Sequence, residues 1–163
     1  MDAVTLFTDG SVNVQTKVGY GAYLAVSDPG LSFDELSRQV KVKRFVPTSS
    51  TKLELQTLLW ALDDIQLLGR PLIVVTDSQN IIGLPARRDR LERNDYCSKK
   101  NTRLKNYELY QDFYRRFDQL DCELVKVQGH QASKHKNDID RLFTLVDRAS
   151  RNALREDARR SAL

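Results

Sequence analysis

The chain has 163 residues, 40% of them hydrophobic, with a formal net charge of +4 and a pI of about 9.1. That suffices for one domain with a real core, and the lack of any apolar run of ~18 residues excludes a membrane-spanning helix. Two cysteines, Cys97 and Cys122, make no disulfide framework and stand in no metal-type cluster; with no charged-then-apolar leader, a reducing cytoplasm is the default expectation.

Val4 to Thr8 is apolar or β-branched throughout and predicts a buried strand. It ends on Asp9 and breaks at Gly10. Side chains alternate along a strand, so Asp9 shares a face with Phe7 and Thr5. A carboxylate there is costly unless it is paired or holds a metal. Taken alone, it reads as the Asp that opens a turn. Val18 to Val26 predicts a second strand, Asp28-Pro29-Gly30 a turn, and Arg38 to Val46 a weakly alternating third strand. Strands this close in sequence predict an antiparallel meander.

Pro47 to Thr51 punctuates the chain and offers hydroxyls as helix N-caps. The spacing then predicts a helix from about Lys52 to Leu68, with Leu58, Ala61, Leu62 and Ile65 inward. Glu54 falls on that same stripe, the second carboxylate where something apolar is expected. Trp60 and Leu59 border the stripe and read as core. After Gly69-Arg70-Pro71, Leu72 to Thr76 is continuously apolar, the mark of a strand covered on both faces. It ends on Asp77, repeating the setting of Asp9: strand, Thr, Asp, small residue. Ser78 predicts the cap of a short helix through Leu84, before Pro85.

Arg87 to Lys105 holds Arg87, Arg88, Arg90, Arg93, Lys99, Lys100, Arg103 and Lys105 with no clear apolar period. It predicts a helix-plus-loop insertion projecting from the body. Uneven basic charge suggests a polyanionic partner, although a charge run is more often a solvated face. Leu104 to Leu120 predicts a helix with an inner stripe of Tyr107, Tyr110, Tyr114, Phe117 and Leu120. Cys122 to Val127 is the last strand, and Gly129 to Lys136, with His130 and His135, a polar loop. The final helix is predicted from Asn137 to Asp157, with Ile139, Leu142, Val146, Ala149 and Ala153 inward. Asp147 lies beside that stripe, on the row Phe143, Asp147, Ser150, Leu154. A single domain over residues 1–157 is expected, with a frayed tail at 158–163.

The strands ending in Asp9 and Asp77 have central character, and side by side they bring two carboxylates to one end of a sheet. A helix on each flank then adds Glu54 and Asp147. Such acids repel unless cations bind, and hard oxygen donors select Mg²⁺ or Mn²⁺. Two ions roughly 3.5–4 Å apart suit in-line attack on a phosphodiester, and basic surface nearby would hold a nucleic-acid backbone. His130 suits a proton shuttle or product release; a pair of solvated loop histidines describes His130 and His135 as well.

Phe7-Thr8-Asp9-Gly10-Ser11 with Gly19-Tyr20-Gly21-Ala22, Leu53-Glu54-Leu55, Thr76-Asp77-Ser78-Gln79, Lys126-Val127-Gln128-Gly129-His130 and Asp147-Arg148-Ala149-Ser150-Arg151 stand in order over nearly the whole chain. This set resembles the type 1 ribonuclease H family. The resemblance implies an α/β, ribonuclease H-like fold: a five-stranded mixed sheet flanked by helices. It implies hydrolysis of the RNA strand of RNA–DNA hybrids, with Asp9, Glu54, Asp77 and Asp147 binding two Mg²⁺ (or Mn²⁺) ions per site. By the same resemblance His130 is the loop histidine and the segment with Arg87, Arg88, Arg90, Lys99 and Lys100 is the basic substrate-binding protrusion. Asn13, Ser50, Thr51 and Gln79 are further candidate contacts to nucleic acid, and a monomer is expected.

Several positions depart from the family pattern. The Asn pair ahead of the helix glutamate is Ser50-Thr51 here, whose hydroxyls still bond a 2′-OH. The glycine-rich turn after the first Asp is replaced by Val12 to Val18, and the protrusion lacks the usual aromatic residues. The separation of His130 from Asp147 exceeds the pattern, so Asp140 competes for the last acid position. Ser150, one turn after Asp147, favours Asp147 by leaving room for close packing, which Phe143 after Asp140 does not. Two other readings remain: a hybrid- or duplex-RNA-binding module with weak or no catalysis, and a same-fold nuclease with a different nucleic-acid substrate.

Overall fold

The computed structural model describes residues 2–127 and 137–162. β1 (Val4–Asn13) and β2 (Val18–Val26) form a long antiparallel hairpin. Asn13 closes it: its side-chain oxygen accepts from the backbone N–H groups of Gln15 and Thr16 at 2.9 and 3.2 Å, as turn-forming Asn does. The strand expected to break at Gly10 therefore runs on to Asn13. Gly10 sits opposite Gly21 within the ladder, and pairing rather than propensity decides its conformation. A helix absent from the expectations, α1 (Phe33–Ser37), follows on a Ser32–Glu35 capping box and buries Leu36. β3 (Lys41–Phe45) then pairs antiparallel with β2, completing the meander.

β4 (Leu72–Thr76) lies parallel to β1, and β5 (Cys122–Lys126) parallel to β4. The sheet is mixed, in the order β3-β2-β1-β4-β5. Its two faces carry two cores. On one, Leu6, Leu72 and Val74 pack against α2 (Ser50–Asp64) and α5 (Tyr107–Gln119). On the other, Phe7, Leu24 and Val75 pack against α1 and α6 (Asp138–Ser161). β4 thus contributes to both, as its unbroken apolar run requires.

α2 begins two residues early, at Ser50 under the Ser49 cap, and ends at Asp64 rather than Leu68. Beyond it the chain turns through Leu68 and Gly69, both at positive φ. Its buried face includes Leu53, Leu55 and Thr57 as well as Leu58 and Ala61. Two glycines of the hairpin let it approach: a Cβ on Gly21 would fall 2.1 Å from Thr57 Oγ1, and one on Gly10 2.8 Å from Leu53 Cδ2. Side chains there would lift α2, and Glu54 with it, off the sheet.

Ser78 caps α3 (Gln79–Ile82) as expected, accepting from the Ile81 N–H at 3.1 Å. α4 (Leu84–Arg93) follows at once, with Pro85 inside its first turn, where a missing N–H costs nothing. α5 turns Tyr110, Phe113 and Tyr114 inward, and Tyr114 donates to the Leu84 carbonyl at 2.6 Å. In α6 the inward row is Phe143, Val146 and Ser150, rotated from the expected stripe; Ile139 is 39% exposed. The tail expected to fray after Asp157 is helical to Ser161. Asp157 is held by the Tyr20 hydroxyl at 2.6 Å and Arg44 Nε at 2.7 Å, and Arg159 and Arg160 suit the negative end of the helix dipole. None of the described helices is long and apolar enough to cross a membrane.

Candidate active site

The parallel register places Phe7 beside Val75. The next residues on that face are Asp9 and Asp77, so the two strand-end carboxylates meet at one end of the sheet. α6 crosses the same face. Ser150 is completely buried, with its Oγ 3.1 Å from Ser11 Oγ of β1, and that small contact seats the helix close. Asp147, one turn earlier, comes within hydrogen-bond range of Asp9. Burial, the Asp77 charge and the Asp147 charge and hydrogen bond together push the Asp9 carboxyl up to about 8, against a bond from the Gly10 N–H. Glu54 arrives from α2. Burial raises its pKa, the Ser78 hydroxyl donating to Oε2 at 2.5 Å lowers it, and the Asp77 charge raises it. The four acids singled out from the sequence thus gather from β1, α2, β4 and α6.

Asp140 has other work. With Asn137 it forms the capping box that starts α6: its N–H donates to Asn137 Oδ1 at 2.9 Å, and its own Oδ2 accepts from the Asn137 N–H at 3.4 Å. Asp147 also pairs with Arg151, one turn on, at 2.9 Å.

Among the described residues, no three histidine, cysteine or carboxylate side chains stand as a ready-made metal cage. The donor chemistry nonetheless fits a hard divalent ion. Every donor is a carboxylate oxygen, and a carboxyl at about 8 keeps its proton at neutral pH, the neutralisation that a cation would supply.

The remaining candidates divide. Ser50 is exposed and Thr51 half-buried in the first turn of α2, one turn before Glu54. Gln79, at the start of α3, accepts from Lys126 Nζ at 2.7 Å. Arg90, Lys99 and Lys100 are exposed. Arg87, Arg88 and Asn13, by contrast, are engaged within the fold. Arg87 donates to the Asn80 side chain at 2.6 Å, and Arg88 binds both oxygens of Asp118 at 2.5 and 2.8 Å and Glu92 at 2.8 Å. The Asn13 oxygen serves the hairpin turn. His130 and His135 lie outside the described residues. The sequence assigned Ser78 only a capping role; its bond to Glu54 links residues distant in the chain and leaves no local signal.

The RNase H family model matches residues 1–150, a span that includes all four gathered acids. No curated protein matches the chain. Among solved structures, the chain is similar to the foamy viral protease-reverse transcriptase in complex with dsDNA, with a TM-score of 0.61 at 16% identity over 88% of this chain and 92% of that one. At that identity the likeness concerns the fold, and it agrees with the five-stranded mixed sheet flanked by helices. The acids, the sheet order and the extent of the family match lead to one statement: this chain belongs to the RNase H family.

Proposed function

We propose that the protein is a divalent-metal-dependent endonuclease that hydrolyses the RNA strand of RNA–DNA hybrids. The observation that carries this reading is the convergence of Asp9, Asp77 and Asp147, with Glu54 beside them, in a buried setting where burial first and the neighbouring acids second raise the pKa of the Asp9 carboxyl. Membership of the family supports a ribonuclease. In this reading Asp9, Glu54, Asp77 and Asp147 hold two Mg²⁺ or Mn²⁺ ions, which when bound supply water activation and charge neutralisation at the leaving oxygen.

The chain's own part is positioning. Ser78 holds the Glu54 carboxylate, and the Ser11–Ser150 contact sets how close Asp147 approaches Asp9. Ser50 and Thr51 present hydroxyls toward a 2′-OH. Arg90, Lys99 and Lys100 are the cations left for phosphates. His130 carries a proton to or from the product side.

The test is cleavage of labelled hybrid, duplex RNA and duplex DNA with Mg²⁺ or Mn²⁺. Hybrid alone should be cut, and Asp9→Asn or Asp77→Asn should each lower the rate by several orders of magnitude, since the metals carry several kcal/mol of the barrier. Wild-type rates in both variants would refute the assignment. Salt-sensitive hybrid binding without turnover at any metal concentration would instead identify a binding module.

A further inference from the structure

Beneath the acids lies a small cavity whose walls include Asp9, Gly10, Glu54, Thr57, Thr76 and Asp77. It offers about 10 Å³ to water centres, room for one water molecule. Thr57 is 1% exposed, and its hydroxyl has no hydrogen-bond partner among the described residues. A buried hydroxyl left unpaired is costly, and such groups ordinarily meet an ordered water. Position 57 is not shaped by apolar packing alone. Gly21, opposite, leaves the space that Thr57 Oγ1 occupies, 2.1 Å from where a Cβ would stand. Thr57 also follows Glu54 by one helical turn, so both side chains address the same end of the cavity wall.

We propose that Thr57 is a positioning residue, whose hydroxyl holds one buried water that hydrogen-bonds the Glu54 carboxylate and fixes its orientation for a divalent ion. The Ser78 hydroxyl already holds Oε2, and the water supplies the second restraint that a carboxylate needs to keep one rotamer. This inference rests on the acid-site reading above.

Calorimetric titration of Mg²⁺ into the substrate-free full chain tests it without turnover. Thr57→Val keeps the shape and loses the hydroxyl; it should weaken Mg²⁺ binding about 10-fold, the usual effect of losing a partner behind a metal ligand. Thr57→Ser restores the hydroxyl and should bind Mg²⁺ as the wild type does. Thr57→Ala, which cannot overpack against Gly21, is the second probe and should match valine. Unchanged Mg²⁺ affinity in both the valine and alanine variants overturns the proposal, whatever their melting temperatures. If Asp9→Asn binds Mg²⁺ as tightly as wild type, the acid-site reading itself fails, so the two failures are told apart.

Discussion

At the acid end of the sheet, Asp9 is buried among its like: burial, then the Asp77 and Asp147 charges, raise its pKa, and Asp147 pairs with Arg151 on the flank of the cluster. Along α4 and the loop to Asn106 the reverse holds. Arg88 meets Asp118 and Glu92, Arg103 meets Asp95 at 3.0 Å, and Arg87 reaches the Asn80 side chain. Both regions are dense in charge, yet one pairs its charges internally and the other crowds them. Internal pairing marks charge used to hold elements together. Crowding that shifts a pKa marks a site waiting for something else.

The largest effect on the ion-free protein should come from relieving that crowding. The folded value of Asp9, about 8, lies above its ordinary 3.8, so the folded chain keeps a proton that the unfolded chain has released. The stability this contributes is complete below the unfolded value and is lost as pH rises through about 8. Asparagine carries no such charge. In chelator, Asp9→Asn should therefore melt above wild type by a margin that widens from about pH 5 to about pH 9. Added Mg²⁺ should narrow the margin by raising wild type. Parallel melting curves across that range would mean that the acids are not in conflict, and the contrast between the two regions would fall.

Much of this was legible beforehand because it was periodic. The bounds of β2 and β4 follow from apolar runs flanked by turn residues, and β4 beside β1 follows from both being covered on two faces. Asp9 and Asp77 stood out because a strand pattern ended on an acid. The preference for Asp147 over Asp140 rested on the smallness of Ser150, and that residue is indeed the point where α6 meets β1. What failed was what depends on a partner strand or helix. Gly10 reads as a break in one strand and is a paired position in two. The helix expected within Arg87 to Lys105 is α4, but it starts earlier, at Leu84; it buries only Leu84 and Leu91, so no apolar period marks its bounds. It is instead held by guanidinium groups over aromatic rings, Arg87 at 5.9 Å from Tyr110 and Arg88 at 5.1 Å from Tyr114. The Ser78–Glu54 and Thr57–Gly21 pairs are likewise invisible until the helix is laid on the sheet.

Arg88 gives the next effect in size. Its side chain is 33% exposed and that of Asp118 54%, so screening limits the pair even though it is bidentate. Arg88→Ala should cost about 1 kcal/mol in denaturant unfolding, part of it from lost contact with Tyr114. The same variant should leave the salt dependence of hybrid binding unchanged, because this guanidinium is already engaged. A shallower salt slope in Arg88→Ala would show that it leaves Asp118 to meet phosphate, and would erase the distinction between structural and available cations.

Lys99 and Lys100 complete the contrast from the other side. They sit exposed on a turn held by backbone bonds, Ser98 N–H to the Thr102 carbonyl at 2.8 Å and Asn101 N–H to the Ser98 carbonyl at 2.9 Å. The fold of the turn therefore does not depend on their side chains. Replacing both with alanine should change stability by less than about 0.5 kcal/mol. If both ammonium groups meet phosphates, the slope of log affinity against log salt should fall by about 1 for each. Arg88→Ala and the double lysine variant then form a crossed pair, one moving stability and not the slope, the other the slope and not stability. An unchanged slope in the lysine variant would take both lysines out of the phosphate contacts, leave Arg90 as the exposed candidate cation of α4, and move the search for the nucleic-acid surface toward Ser50, Thr51 and the first turn of α2.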